Sequence, residues 1–247
     1  MNSLIEVIDV EKGFETTPVL TGVSFALEKG ETLVVMGGSG SGKTVLLRLI
    51  AGLWRPDAGQ IRVFDRNIED LTEEELLPIR RRLGYVFQGA ALFDSLTVYE
   101  NVAYPLREHT RLREEEIRRR VIHFLSLVGL NDTVLGQAPA ELSGGMRKRV
   151  GIARALVGQP EVMLYDEPTA GLDPTNSKLV TELIVQMREG VCDSAIVVTH
   201  DLDLAKAAAD RVAVLIGGRF AAMGTPAEVM AASDEAVQAF LAGEARP

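Results

Sequence analysis

A glycine-rich segment near the N-terminus has the residue types and spacing that bind phosphate groups. It stands between an apolar run and a segment with helical character, and it matches the full P-loop pattern. Its glycines let successive backbone N–H groups turn toward phosphates, the lysine can reach the β- and γ-phosphates, and the final hydroxyl can bind Mg²⁺. The segment predicts a nucleotide site formed by Gly37, Gly38, Ser39, Gly40, Ser41, Gly42, Lys43 and Thr44.

Two acidic residues follow a second apolar run, Val162–Tyr165. Asp166 is expected at the C-terminal edge of a buried strand, where ligands gather in parallel α/β sheets. We interpret Asp166 as the acid on the Mg²⁺ side of the nucleotide, acting through water. Glu167 follows directly and can serve as general base for the attacking water, a contribution of about 10²–10⁴-fold in rate. Together, the P-loop and this acidic pair allow many kinds of nucleotide hydrolase that use Mg²⁺.

A second phosphate-binding segment, Leu142–Met146, precedes Asp166 in the sequence. Ser143 offers a hydroxyl, and Gly144 and Gly145 offer bare N–H groups, at the start of a predicted helix. One subunit cannot easily apply two such devices to one nucleotide. The segment resembles the signature motif of ABC ATPases, which binds the γ-phosphate held by the P-loop of the partner subunit. The resemblance implies that two copies of this chain sandwich ATP.

Further residues match the ABC pattern in order along the chain. Phe14 resembles the aromatic residue that stacks on adenine, and Gln88 resembles the glutamine that links the γ-phosphate and Mg²⁺ to the transmembrane partner. Asp173 resembles the acid of the loop that crosses the dimer interface, and His200 the switch histidine that contacts the γ-phosphate. The resemblance implies Thr44, Gln88 and Asp166 as Mg²⁺ ligands, and Glu167, His200 and Lys43 as catalytic residues.

Two positions depart from the family pattern. Met146 occupies the place that glutamine usually holds, so a polar contact to the neighbouring nucleotide is expected to be missing. Gly38 replaces a proline that is common in the P-loop, which gives a more flexible turn. Neither change removes a phosphate ligand or the base, so we still expect hydrolysis.

Strands and helices alternate along the parts of the chain that carry these residues. The predicted strands are Leu4–Val10, Gly22–Leu27, Thr32–Met36, Gln60–Phe64, Gly84–Phe87, Val162–Tyr165, Ala195–Thr199 and Val212–Ile216. The main predicted helices are Val45–Leu53, Glu114–Val128, Gly144–Val157, Asn176–Arg188 and Leu202–Ala209. This alternation predicts an α/β fold with a mostly parallel sheet covered on both faces.

The resemblance adds a domain plan to this fold: a P-loop NTPase of the ABC type with an antiparallel β subdomain and a helical subdomain insert. We expect the ATPase domain over residues 1–231, with the insert at about 88–157. Residues 232–247 form a tail in which Val237, Phe240 and Leu241 recur at helical spacing. We hypothesise that this tail packs on the second copy or on a regulator; the alternative is a helix packed on its own domain or a frayed end.

Composition narrows the functional class. The 247 residues carry a net charge of −9, which argues mildly against a duplex-binding protein, so no nucleic-acid partner is expected. No segment approaches the roughly 20 apolar residues of a membrane span, and the N-terminus lacks a signal-peptide pattern. The single cysteine, Cys192, fits a reducing compartment. Together with the resemblance to ABC ATPases, these features imply a peripheral protein on the cytoplasmic face of a bacterial inner membrane.

The region after Gln88 is expected to face membrane permease subunits. It carries Asp94 where sugar and amino-acid importers often have proline, and Pro105 where they often have glycine. This version, with Met146, resembles the ATPase of Mla/Mce-type phospholipid transporters. The resemblance implies two permease subunits and a lipid-binding MCE-domain protein as partners, and such a complex can include a small STAS-domain regulator.

Other functions remain open at this point. Within transporters, the alternative is the ATPase of a solute importer or of a lipoprotein-release system. A different class is an ABC ATPase that acts on DNA or ribosomes without transport. Such proteins usually separate the P-loop from the signature by long coiled coils or carry two cassettes, whereas this chain has one uninterrupted cassette.

Overall fold

The computed structural model describes residues 3–243, except for the side chain of residue 189, and separates into two compact units. The first unit comprises Met1–Arg80 and Asp193–Pro247, and the second comprises Arg81–Cys192. Residues 1–2 of the predicted ATPase domain and residues 244–247 of the predicted tail lie outside the described residues. The predicted domain bounds at 88, 157 and 231 stay a prediction.

Strands and helices alternate as the sequence predicts. The strands are β1 (Ser3–Phe14), β2 (Thr17–Glu28), β3 (Thr32–Met36), β4 (Ala58–Val63), β5 (Arg66–Asn67), β6 (Leu83–Val86), β7 (Val162–Asp166), β8 (Ala195–Thr199), β9 (Arg211–Ile216) and β10 (Arg219–Gly224). The α-helices are α1 (Lys43–Ile50), α2 (Glu73–Arg80), α3 (Val98–His109), α4 (Glu114–Leu127), α5 (Gly144–Leu156), α6 (Pro174–Gly190), α7 (Leu202–Ala208), α8 (Pro226–Met230) and α9 (Glu235–Leu241).

The first unit contains the antiparallel subdomain and a parallel core. Strands β2, β1, β4 and β5 form an antiparallel sheet in that order. Strand β3 pairs in parallel with β8 on one side and with β9 on the other, and β10 pairs antiparallel with β9. All residues of β3 and β8 are buried, as expected for parallel strands covered on both faces. The predicted α/β class and mostly parallel core are confirmed.

Helix α1 begins at Lys43 and ends earlier than predicted. Its apolar side chains at Leu46, Leu47, Leu49 and Ile50 are fully buried. The sequence placed the end at Leu53, but Gly52 adopts φ +65, and Leu53 N–H donates to Arg48 O at 2.8 Å. This left-handed glycine closes the helix, because the chain turns away from the axis at that point. The predicted extension to Leu53 is therefore wrong.

The C-terminal tail contains the short helix α9. Val237 of this helix is fully buried, and α9 packs against β9 and β10 of the same unit. The hypothesis that this face packs on another chain is wrong for Val237, which lies against its own domain. The apolar spacing predicted the helix, but it could not identify the surface that receives it.

The second unit combines the parallel strands β6 and β7 with four helices. Helices α3, α4 and α5 pack on one another, and α5 also packs on α6 and β6. Asn101 of α3 is fully buried, and its side-chain amide donates to Phe93 O and Leu96 O and accepts from Phe93 N–H. This amide fixes the loop that leads from β6 into α3. Within residues 3–243, no helix is long and apolar enough to cross a bilayer.

The buried face of α1 generates a stability prediction. Leu46→Ala removes a fully buried side chain behind the glycine-rich loop, and should lower the free energy of unfolding by about 2–5 kcal/mol. Leu77→Ala is the matched control, because Leu77 is 44% exposed and its truncation should stay within about 0.5 kcal/mol. Urea unfolding measures both. Equal losses in the two variants would contradict this description of the core.

Candidate functional site

The glycine-rich loop connects β3 to α1, and two of its glycines, Gly37 and Gly42, stand where no larger residue fits. A Cβ atom on Gly37 would lie 2.5 Å from Ser41 Oγ and 2.6 Å from Leu215 O. Gly42 has φ +103 and is the N-cap of α1, and a Cβ there would lie 2.8 Å from Leu20. Gly38, in contrast, has open space around it, so this departure from the family pattern relieves no crowding. Neighbouring atoms therefore crowd the two ends of the loop, at Gly37 and Gly42, and leave space around its middle.

Lys43 closes the loop from inside. Its side chain is 6% exposed, and Nζ donates to Gly37 O at 2.8 Å and Gly38 O at 2.9 Å. Ser41 Oγ is buried and has no hydrogen-bond partner among the described residues. A buried cation, an unsatisfied hydroxyl and the N-terminus of α1 together fit an anionic phosphate group. Thr44 is half-buried in the first turn of α1, beside them in sequence.

Phe14 lies at the end of β1 with 42% of its surface exposed. Its ring packs edge-to-face on Trp54, with centroids 5.1 Å apart. Asp57 accepts hydrogen bonds from Lys12 Nζ at 2.6 Å and Gly13 N–H at 2.7 Å, and the Lys12 bond is the main cause that lowers the Asp57 pKa. The Asp57 contacts hold Gly13, the residue before Phe14. Part of the Phe14 ring stays accessible for stacking.

His200 leaves the parallel sheet at the same edge as the glycine-rich loop. Met36, the last residue of β3, is in register with Thr199, the last residue of β8. His200 is exposed, and the following Asp201 caps α7 through its side chain. The first unit therefore brings His200 and residues 37–44 to one sheet edge, which the spacing of the two motifs along the sequence could not establish.

In the second unit, the predicted Mg²⁺ ligands Gln88 and Asp166 and the predicted base Glu167 lie at the ends of the parallel strands β6 and β7. Val86 of β6 is in register with Tyr165 of β7, so Gln88, two residues beyond β6, and Asp166, the last residue of β7, lie at neighbouring strand ends. Asp166 is 2% exposed and accepts a hydrogen bond from Tyr85 Oη at 3.3 Å. Glu167 is 7% exposed and has φ +47, a strained value for a residue with a side chain.

Sequence reasoning missed a cation next to these residues. Lys148 of α5 is 6% exposed, and its Nζ donates to Gln88 O and to Glu167 O, the latter at 3.1 Å. Burial lowers the Lys148 pKa, and the charges of Asp166 and Glu167 oppose that shift. A lysine within a helix is usually solvated, so no local signal in the sequence marked this one.

The signature segment forms the exposed N-terminus of α5. Ser143 is the N-cap, and its Oγ accepts from Met146 N–H at 3.2 Å. A Cβ on Gly145 would lie 2.4 Å from Asn176 Oδ1, so the segment contacts the start of α6 closely. A Cβ on Gly144 would meet only Leu172 Cδ2 at 3.6 Å.

Asp173 acts as the N-cap of α6 in this chain. Its carboxylate accepts from Asn176 Nδ2 at 2.5 Å and from Asn176 N–H at 3.1 Å. These bonds, the side-chain one first, lower the Asp173 pKa. Because Asn176 also contacts Gly145, the second unit brings together the signature segment and the predicted interface loop. Asp173 is exposed, and both of these hydrogen bonds come from its own chain.

The predicted site residues are divided between the two units. Residues 37–44, Phe14 and His200 belong to the first unit, and the remaining members belong to the second: Gln88, Ser143, Gly144, Gly145, Asp166, Glu167 and Asp173. Of the predicted Mg²⁺ ligands, Thr44 is in the first unit. Across residues 3–243, no cluster of three or more His, Cys, Asp or Glu side chains could hold a metal by itself. Mg²⁺ commonly binds one or two carboxylates together with substrate phosphates, so the carboxylate of Asp166 is a donor of the type that this metal uses.

Comparison with known sequences gives a consistent family. The family model described as "ABC transporter" matches residues 20–170. The chain is 40% identical over 244 residues to the "Probable ribonucleotide transport ATP-binding protein mkl" of Mycobacterium tuberculosis, covering 98% of this chain and 67% of that protein. It is 38% identical over 244 residues to the "Methionine import ATP-binding protein MetN" of Mesorhizobium japonicum, covering 99% and 66%.

Solved structures agree with this family. The dimeric post-hydrolysis state of the ATP-binding cassette MJ0796 bound to ADP and Pi superposes with a TM-score of 0.84 at 32% identity, covering 90% of this chain and 98% of that chain. The structure of cbiO1 from Clostridium perfringens, part of the ABC transporter complex cbiONQ, has the same TM-score and identity and covers 98% and 96%.

The close contact at Gly145 generates a prediction about the signature segment. Gly145→Ala should destabilise the fold by about 1–3 kcal/mol, because the new methyl group would overlap Asn176, whose amide is held by Asp173. Thermal unfolding measures the loss. Gly144→Ala is the control, since its methyl group makes only an ordinary contact with Leu172. A Gly145→Ala variant as stable as Gly144→Ala would contradict the packing described here.

Proposed function

The chain belongs to the ABC transporter family, and on that premise we propose that two copies of it drive a permease that moves phospholipids between membranes of the cell envelope. The family establishes an ATP-binding ATPase whose members work as dimers with permease subunits. The observation that supports the two-copy site is that two separate glycine-rich helix starts, at Gly42 and at Ser143, are each suited to bind a phosphate. The site roles, the partners and the substrate that follow are our proposal.

The P-loop holds the nucleotide in this proposal. Lys43 turns its ammonium from the loop carbonyls to the β- and γ-phosphates, and Ser41 Oγ gains the hydrogen bond that it lacks. Phe14 stacks its exposed face on adenine. Thr44, Gln88 and Asp166 are the donors for Mg²⁺, which when bound neutralises charge that develops on the phosphates.

Hydrolysis depends on Glu167. Its carboxylate accepts a proton from the water that attacks the γ-phosphate, and its burial limits access by other water. His200 contacts the γ-phosphate from the edge that it shares with the P-loop. On the other side of the nucleotide, Ser143 and the following glycines of the partner copy donate to the same phosphate, and Asp173 lines the interface.

The permease contact is proposed on the surface after Gln88. Phe93 and Tyr104 are 44% and 42% exposed, and their rings lie 4.9 Å apart between centroids. Buried Asn101 holds the backbone at Phe93, so this aromatic pair is presented by a fixed loop. An exposed, rigid pair of aromatic rings is typical of a protein interface. ATP-driven dimer closure would then move a surface attached to the permease.

The lipid substrate rests on the resemblance to Mla/Mce-type ATPases. The residues that support it are Asp94, Pro105 and Met146, and the partners it implies are an MCE-domain lipid-binding protein and a STAS-domain regulator. The proposed location is the cytoplasmic face of a bacterial inner membrane, where the chain is bound to its permease.

A solute importer is the second candidate. It is favoured by the names of relatives, which include methionine import and ribonucleotide transport ATP-binding proteins. A lipoprotein-release system remains a third transport alternative. Action on DNA or ribosomes is disfavoured by the net charge of −9 and by the single uninterrupted cassette.

The base assignment is tested by Glu167→Gln. Because glutamine cannot accept the proton, the hydrolysis rate should fall by about 10²–10⁴-fold while ATP binding is kept. Steady-state hydrolysis and nucleotide titration measure the two properties. The control is Glu161→Gln, which changes an exposed acid before the same strand, paired with Arg82. Wild-type turnover in Glu167→Gln would refute the role of Glu167 as base.

The substrate class is tested by purifying this chain from its native membranes and identifying co-purified proteins and lipids by mass spectrometry. The proposal predicts a permease, an MCE-domain protein and enriched phospholipid. A permease with a solute-binding protein would replace the lipid proposal by the importer. Ribosomes or DNA-repair proteins without a permease would contradict the transport function.

A further inference from the structure

Lys148 is a buried cation that the proposed mechanism leaves without a role. An ammonium group removed from water is costly unless hydrogen bonds replace its hydration. Two backbone carbonyls supply such bonds here, those of Gln88 and Glu167. One side chain of the signature helix α5 thus joins the two segments to which we assign the link to the permease and the catalytic base.

The contact with Gln88 is part of a longer packed surface on α5. Lys148, Gly151 and Arg154 are spaced three residues apart and lie on one helix face. Arg154 donates to Ala90 O and Ala91 O, each at 2.8 Å. A Cβ on Gly151 would lie 3.3 Å from the Ala90 Cβ, so the backbone after Gln88 approaches the helix closely.

Three of the four carbonyls held by these two cations belong to strained backbone. Ala90, Ala91 and Glu167 have φ values of +62, +47 and +47. Residues other than glycine keep such values only where the surroundings hold them in place. Glu167 also precedes Pro168, which restricts its backbone further. The two α5 cations contact the backbone at each of these three strained positions.

We infer that Lys148 is a positioning residue that holds the Glu167 backbone, and with it the direction of the Glu167 carboxylate, in register with the Gln88 segment. The inference deepens the proposed function and rests on the role of Glu167 as base. Charge-assisted bonds to backbone carbonyls are short and directional, so they fix main-chain geometry better than neutral contacts. Because the same ammonium holds Gln88 O, a displacement of the Gln88 segment is transmitted to Glu167.

The test is ATP hydrolysis by Lys148→Met in the full chain. Methionine keeps the length and much of the volume of the side chain but removes the donor. The kcat should fall by about 10²-fold, the loss that a misplacement of about 1 Å at a reacting group can cause, with the KM for ATP little changed. A wild-type kcat in a folded Lys148→Met variant would overturn the inference.

Arg149→Met is the matched control. Arg149 is the next residue of α5, burial lowers its pKa as well, and its Nη1 donates to Val128 O at 3.3 Å and Gly129 O at 3.0 Å. The Arg149→Met variant therefore loses an α5 cation that binds two backbone carbonyls. The contacts of α5 with the Gln88 and Glu167 segments are left unchanged. The kcat of this variant should stay near that of the wild type. An equal loss in both variants would mean that any such cation in α5 matters only for stability, which overturns the inference.

A double-variant cycle separates positioning from general damage. If Lys148 acts through Glu167, Lys148→Met should add no further loss to Glu167→Gln, measured by single-turnover hydrolysis of labelled ATP. Multiplied losses would show that Lys148 acts independently of Glu167 and would overturn the inference. Wild-type turnover in Glu167→Gln alone is a different outcome, because it refutes the base assignment itself.

Two further substitutions at Lys148 keep the test decisive if Lys148→Met does not fold. Lys148→Gln retains an amide donor without the charge, so it should fold and keep part of the kcat, above any level reached by Lys148→Met. Lys148→Arg retains both the charge and donors, so it should restore more kcat than the glutamine variant. A folded Lys148→Gln with the kcat and KM of the wild type would overturn the requirement for a charged donor.

Discussion

The parallel pairing of buried strands is the constraint on which the predicted catalytic positions depend. Strand β3 is in register with β8, and β6 with β7, so each pair ends at a common edge. Strands β3, β7 and β8 are buried along their length because both of their faces are covered. Polar side chains can therefore enter only where the strands stop. The glycine-rich loop and His200 follow one pair, and Gln88 and Glu167 follow the other, so the sheet register decides which side chains become neighbours.

Helix α5 connects several of these positions within the second unit. Its N-terminus carries the exposed Ser143, Gly145 packs against the start of α6, and Lys148 binds the carbonyls of Gln88 and Glu167. These contacts stay at fixed separations because the residues that make them are on one rigid helix, which rises about 1.5 Å per residue. A shift of the signature segment against a nucleotide would therefore move Lys148 as well. When the signature segment of one copy binds a nucleotide, this contact gives a physical reason for Glu167 of that same copy to respond.

Much of the fold was predictable from the sequence because the signals are local. Thr32–Met36 was predicted with its observed bounds, since it is a compact apolar run between turns. The end of α1 was missed because Gly52 was not recognised as the closing left-handed residue. The surface that buries Val237 and the cap formed by Asp173 and Asn176 depend on partners that only the folded chain defines. Lys148 was missed for the same reason: its burial comes from segments about 60 and 19 residues away in sequence.

The central claim is that each ATP is held by the P-loop of one copy and the signature segment of the other. Ser39 and Ser143 are both exposed, and the chain's one cysteine, Cys192, is buried, so cysteines introduced at the two serines can report on this arrangement. The measurement is oxidative cross-linking of Ser39→Cys with Ser143→Cys, in a Glu167→Gln background and in membranes that contain the whole complex. The account predicts a disulfide-linked dimer of this chain when ATP and Mg²⁺ are present, and none without nucleotide. A chain that binds ATP and stays uncross-linked under these conditions would contradict it.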